Sequence, residues 1–168
     1  MTTPSIRTAT GDDLTQIKAI AVAAEMFTVD EVAIFDEMFG GFLDGSMEGH
    51  QWLVVTNDNG AVTGAANYAP EPFSDRMWNL YFIAVRPDQQ GQGLGRALIT
   101  QAEAELTAMG DATARVLIVE TSSTPQYALT REFYNKIGYD EEARIREFYG
   151  PNDDKVVFWK SLVSGPAG

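Results

Sequence analysis

The chain contains no cysteine. That excludes a disulfide framework, a thiolate metal site and a cysteine nucleophile. Histidine is nearly absent too: His50 is the one imidazole, too few for a zinc or haem site built on histidine. No apolar run approaches the roughly 20 residues of a membrane span. The opening stretch, Met1-Thr-Thr-Pro-Ser-Ile-Arg7, lacks the apolar core of a signal peptide. These absences lead us to expect a cytoplasmic protein with no membrane partner. Positive charge is scarce: 12 Lys and Arg stand against 24 Asp and Glu, a net charge of −12. Nucleic-acid binding needs basic surface to meet phosphates, so a nucleic-acid partner is not expected. The deficit is uneven, for between Glu25 and Asp58 there are eight acids and no Lys or Arg. Such a run is either a solvated face that keeps the protein soluble or an entrance that attracts a cationic small molecule.

What is present describes an ordinary globular chain. With 168 residues, 45% hydrophobic and 11% aromatic, it can bury a core of its own. One domain is expected over residues 1–163, followed by a flexible tail at 164–168. Ser5–Ala9 reads as a short strand, and Thr10-Gly-Asp-Asp13 offers capping residues for a helix. Leu14, Ile17, Ile20, Ala21 and Ala24 fall at helical spacing. A second helix is expected over 29–43, broken near Gly40-Gly41. Gln51–Thr56 and Ala61–Tyr68 are strands joined by an Asn57-Asp-Asn-Gly60 turn. Ala69–Pro72 reads as a loop. Met77–Val85 is apolar on both faces and so belongs at the centre of a sheet. A helix over 94–109, a strand over 115–120, a helix ending at Ile137-Gly138, and strands over 139–149 and 155–162 complete the order. The class is α/β, a mixed sheet with about four helices.

The chemistry-bearing stretch is Arg86-Pro-Asp-Gln-Gln90-Gly-Gln-Gly-Leu-Gly-Arg96, between the strand at 77–85 and the helix at 94–109. Glycines let a backbone turn tightly and approach a ligand closely. A helix start gathers unpaired N–H groups and the positive dipole end, which suits a phosphate. A dinucleotide fingerprint fails here: counted from Gly91 its third glycine would be Arg96, and counted from Gly93 it would be Leu98. A Walker loop fails because no glycine precedes a lysine. The pattern that fits is Gln90-x-x-Gly93-x-Gly95.

This pattern resembles the coenzyme A loop of the GNAT superfamily, the GCN5-related N-acetyltransferases, as does the element order of nearly the whole chain. A second match, Arg131-Glu-Phe-Tyr-Asn-Lys-Ile-Gly-Tyr139, is similar to that family's Phe-Tyr-x-x-x-Gly-Phe/Tyr signature, about 40 residues further on. The resemblance implies a GNAT-like fold, with a central, mostly antiparallel seven-stranded sheet. It implies acetyl-CoA as acyl donor. Gln90, Gly91, Gln92, Gly93, Leu94, Gly95 and Arg96 would cradle the pyrophosphate. Main chain at Ile83, Ala84 and Val85 would hold the pantetheine arm as an added strand, with the N–H of Val85 or Ala84 facing the oxyanion.

Acetyl transfer to an amine needs a neutral nucleophile and a proton for the leaving thiolate. Without cysteine, direct attack is the natural route. By the resemblance Tyr134 is the general acid toward the coenzyme A sulfur. Glu120, at the end of the strand over 115–120, is the candidate base. Many family members place an acid where this chain has Asn79, an amide that cannot act as a base. The acidic run falls where the family builds part of its acceptor site, which makes Glu31, Asp36 and Glu37 candidates for meeting a cationic amine. His50 reads as a surface histidine. The expected activity is acetyl-CoA-dependent N-acetyl transfer to the primary amine of a small molecule. A protein or peptide amine as acceptor, or a non-catalytic acyl-CoA-binding module, are the alternatives. No metal is called for. A homodimer through the strand over 139–149 is one arrangement that the resemblance allows.

Overall fold

The computed structural model describes residues 3–163, so the tail expected at 164–168 lies outside the described residues. The strands are β1 (Ser5–Thr8), β2 (Gln51–Thr56), β3 (Val62–Pro70), β4 (Met77–Val85), β5 (Val116–Ser122), β6 (Asp140–Gly150) and β7 (Asp153–Ser161). The helices are α1 (Leu14–Ala23), α2 (Ile34–Asp44), α3 (Leu94–Met109) and α4 (Ala128–Lys136). The sheet runs in the order β1-β2-β3-β4-β5-β7-β6. β1–β2, β2–β3, β5–β7 and β6–β7 pair antiparallel, whereas β4–β5 is parallel. A parallel pair needs a crossover connection, and α3 supplies it. The expected class, a mostly antiparallel seven-stranded α/β sheet with four helices, is the one observed.

The second helix and the end of β3 differ from the sequence reading. The second helix begins at Ile34, behind a short 3-10 turn over Glu31–Ala33, and runs unbroken through Gly40-Gly41 to Asp44. Gly41 has a packing reason: a Cβ there would collide with Met47 Cγ. The helix ends instead at Gly45, with φ +77°, the left-handed stop that glycine permits. Strand β3 extends to Pro70, so the first half of the expected loop at 69–72 is strand.

The residues cluster into two compact units. The first holds residues up to Ala69 together with Phe82–Ala102. Its core gathers Ile17, Ile20, Phe35, Phe39, Trp52 and Phe82, among others, all buried. Phe35 meets Phe82 edge-on at 5.1 Å and Trp52 at 5.7 Å, a geometry that aromatic quadrupoles favour. Asp13 fixes the start of α1: it accepts the Thr10 amide at 2.7 Å and both Arg7 guanidinium nitrogens at 2.7 and 2.9 Å.

The second unit holds Pro70–Tyr81 and residues from Glu103 onward. Here β5 is buried along Val116–Val119 and pairs with β7 on one side. On the other side its parallel ladder with β4 runs from Met77–Val116 to Leu80–Val119. Tyr81 and Glu120 are the first residues past that last pair. At the opposite end of this unit's sheet, β6 lies exposed along nearly its whole length.

Candidate active site

Within the first unit, β4 ends at Val85 and the chain turns through Pro87–Gln89 into the glycine stretch. Gly91 and Gly93 adopt φ +80° and +81°, and a Cβ built on either would meet nothing within 4 Å. These φ values disfavour other side chains, and the space in front of the backbone is open. Helix α3 starts at Leu94, with its first amide bond from Ala97 to the Gly93 carbonyl at 3.0 Å. The N–H groups of Leu94, Gly95 and Arg96 therefore open a 16-residue helix with no acid in its first turn. Gln92, Gly93 and Arg96 border an open cleft of about 500 Å³, together with Thr3, Pro4 and Ile6. The turn presents amides and a positive dipole end, the chemistry of a phosphate cradle.

The strand leading into that turn has two different edges. The Arg86 amide bonds Thr63 of β3 at 2.8 Å, and the Ala84 carbonyl lies against Gly64 of β3. Backbone groups alternate along a strand, so Ala84 is turned toward β3. Ile83 and Val85 then carry their main-chain groups on the edge away from β3. The Gln90 side chain donates to the Val85 carbonyl at 3.2 Å, tying the loop to the strand.

The second unit brings together side chains that are distant in sequence. Asn79 is buried, 1% exposed, and its Nδ2 donates to Glu71 Oε2 at 3.0 Å. The same oxygen accepts from the Tyr81 hydroxyl at 2.7 Å. Burial pushes the Tyr81 phenol well above its ordinary pKa, and the hydrogen bond to Glu71 and the charges of Glu71 and Glu120 add to the shift. Glu120 is partnered by Lys155, Nζ to Oε2 at 3.0 Å. That lysine also lies 3.5 Å over the Phe148 ring. Tyr149, in the same neighbourhood, is pushed up to about 12 by burial first and by Glu120 and Asp153 next. Glu71 is the residue that sequence reasoning missed, because it was read as part of a loop. The signal that pointed toward it was the amide at position 79, where an acid was expected.

Tyr134 sits on α4, 2% exposed, packed between Phe158 at 5.3 Å, Phe133 at 5.4 Å and Tyr139 at 5.9 Å. Burial alone raises its pKa, so the phenol keeps its proton throughout the physiological range. Several acids of the Glu25–Asp58 run have local tasks. Asp36 pairs with Lys18 at 3.0 Å, Glu31 accepts the Thr28 amide at 2.8 Å, and Asp44 accepts the Ser46 amide at 2.8 Å. His50 is half-buried rather than a surface residue. Its Nδ1 lies 3.4 Å from Asn67 Nδ2, and burial holds its pKa below the usual value.

Comparison with known proteins assigns the class. The family profile of the acetyltransferase (GNAT) domain matches residues 48–141, more than half of the chain. The chain belongs to the GNAT acetyltransferase family. A GNAT-family protein from Desulfovibrio desulfuricans is 29% identical, with a TM-score of 0.86 over 96% of this chain and 100% of that one. The ribosomal-protein-S18-alanine N-acetyltransferase of Escherichia coli is 22% identical (TM-score 0.76), covering 99% of each chain. A phosphinothricin acetyltransferase from Sinorhizobium meliloti, solved with acetyl-CoA, is 20% identical (TM-score 0.76), covering 99% of this chain and 92% of that one. No curated protein matches the sequence significantly.

Proposed function

We propose that this protein is an acetyl-CoA-dependent N-acetyltransferase that acts on the primary amine of a small molecule. The observation that carries the reading is the open glycine turn at the head of α3, with its two positive-φ residues and its free amides. Gln90, Gly91, Gln92, Gly93, Leu94, Gly95 and Arg96 cradle the pyrophosphate of acetyl-CoA. The main chain of Ile83 and Val85, which faces away from β3, takes the pantetheine arm, while Ala84 between them is turned toward β3 and keeps the strand in place. The Val85 N–H is the donor for the oxyanion.

The transfer is direct. The amine nitrogen attacks the thioester carbonyl, the N–C bond forms, and the C–S bond breaks as the carbonyl re-forms. Glu120 accepts the proton that the nitrogen loses, and Tyr134 donates one to the departing thiolate. A phenol suits that second task because it stays protonated until a thiolate appears beside it. The absence of cysteine agrees with a route that has no acyl-enzyme step.

Release of free coenzyme A thiol, measured across polyamines, amino acids, aminoglycosides and basic peptides, tests the reading. A small amine that turns over supports it. Turnover of peptides alone would move the acceptor to a protein or peptide amine. Tight acetyl-CoA binding with no turnover on any amine would favour a binding module instead.

A further inference from the structure

The acid expected on β4 is absent, and in its place stands a buried amide with an unused oxygen. Asn79 Oδ1 is buried and has no hydrogen-bond partner among the described residues. Its other polar atom, Nδ2, is committed to Glu71. Buried carbonyl oxygens are nearly always bonded, so an orphan beside a carboxylate calls for a donor supplied from outside. Glu71 is half-buried, and its amide bonds the Met77 carbonyl at 2.8 Å, which fixes it across from β4. It receives hydrogen bonds from two neutral groups, Asn79 and Tyr81, both on Oε2. Among the described residues no cation pairs with Glu71, whereas Glu120 has Lys155. Tyr81 is 43% exposed, so the cluster reaches solvent.

The group that fits has several donors, no acceptor and a positive charge. A primary ammonium has three N–H donors and no acceptor. We infer that Glu71, Asn79 and Tyr81 form the subsite that receives the acceptor as its ammonium ion, so that the acceptor is a cationic primary amine. Glu71 recognises the nitrogen, Asn79 Oδ1 accepts a hydrogen bond from a second of its N–H groups, the ammonium releases one proton to solvent before it attacks, and Glu120 accepts the proton that the nitrogen loses on attack. The inference rests on the N-acetyltransferase reading for the identity of its ligand, but the subsite can be tested without turnover. It also places charge recognition at the β3–β4 connection rather than in the acidic run at 25–58.

The test is titration of the wild-type, ¹⁵N-labelled protein with n-butylamine and with 1-butanol at neutral pH, following the Asn79 side-chain amide by NMR. The subsite requires a saturable shift of that signal with the amine, none with the alcohol, and loss of the response in Glu71→Gln. An unmoved Asn79 signal, or equal response to amine and alcohol, overturns it whatever the turnover. A specific shift in a protein that acetylates nothing would overturn the transferase reading and leave the subsite standing. With the best acceptor in hand, Glu71→Gln should raise KM about tenfold or more, the weight of a charge-assisted hydrogen bond. Its kcat and acetyl-CoA affinity should stay within about threefold, and Glu71→Asp should recover part of the loss. An unchanged KM in Glu71→Gln overturns the assignment.

Discussion

The two units of this protein present ligands with different parts of the chain. In the first, the groups that we propose for the cofactor are main-chain amides at the head of α3, carried by a turn whose glycines hold φ +80° and +81°. In the second, the groups are side chains: Glu71 with Asn79 and Tyr81, Glu120 with Lys155, and Tyr134 within an aromatic cluster. A main-chain site tolerates most side-chain changes but not a change of backbone conformation or an obstruction. A side-chain site has the opposite sensitivity. Damage to the first unit should therefore remove acetyl-CoA binding, and damage to the second should weaken the acceptor's hold or the turnover while acetyl-CoA binding survives.

The largest expected effect is that of Gly93→Glu. It forces a side chain onto a left-handed residue and brings a negative charge toward the pyrophosphate. Acetyl-CoA affinity, measured by calorimetry, should fall at least about 100-fold, the sum of a strained φ and one charge repulsion. Retained affinity would break the claim that the turn is the cradle.

Tyr134→Phe comes next. Loss of a general acid should lower kcat by about 10² to 10⁴. The ring packing is preserved, so acetyl-CoA affinity should stay near wild type. Unchanged turnover would remove Tyr134 from the reaction. For Glu120→Gln we expect a fall in kcat of about 10², with Lys155 left unpaired. A change confined to KM would reassign Glu120 to binding.

The smallest effect sharpens the comparison from the other side. Asp13→Asn, in the first unit, touches neither site. It weakens the Arg7 pair and the cap of α1 at a cost of about 1 to 2 kcal/mol of stability, with little change in turnover below the melting transition. The Arg7 hydrogen bond holds the Asp13 carboxyl below its usual pKa. A carboxylate depressed in the folded state stabilises above its unfolded pKa, and that stability is lost as pH falls through the folded value. The gap between wild type and Asp13→Asn should thus be full at pH 6 and shrink as pH drops below about 3.8, the ordinary aspartate range. Chemical denaturation at several pH values would show it, and a gap independent of pH would refute the assignment.

The sequence carried the element order because periodicity and turn chemistry are local. The 94–109 helix and the strands at 51–56 and 77–85 appear where their patterns put them. The glycine turn was legible for the same reason, since positive φ is a property of single residues that glycine announces. By contrast, Gly40-Gly41 reads as a helix break, yet the helix continues, because Met47 folds back onto Gly41 and makes the small residue a packing choice. His50 and the acids of α2 could not be ranked as buried, paired or free from their order in the chain.

By itself the sequence determined the fold class, the family motifs and the place of the glycine turn at the head of α3. Tertiary structure alone decided which carboxylates stand alone. Glu71 reaches Asn79 and Tyr81 because the chain reverses between β3 and β4, and Glu120 meets Lys155 because β5 and β7 pair in a fixed register. Charge compensation depends on distances of a few ångströms between residues that lie from 8 positions apart, as Glu71 and Asn79 do, to 35 apart, as Glu120 and Lys155 do. No local pattern encodes those distances; they follow from how the strands align.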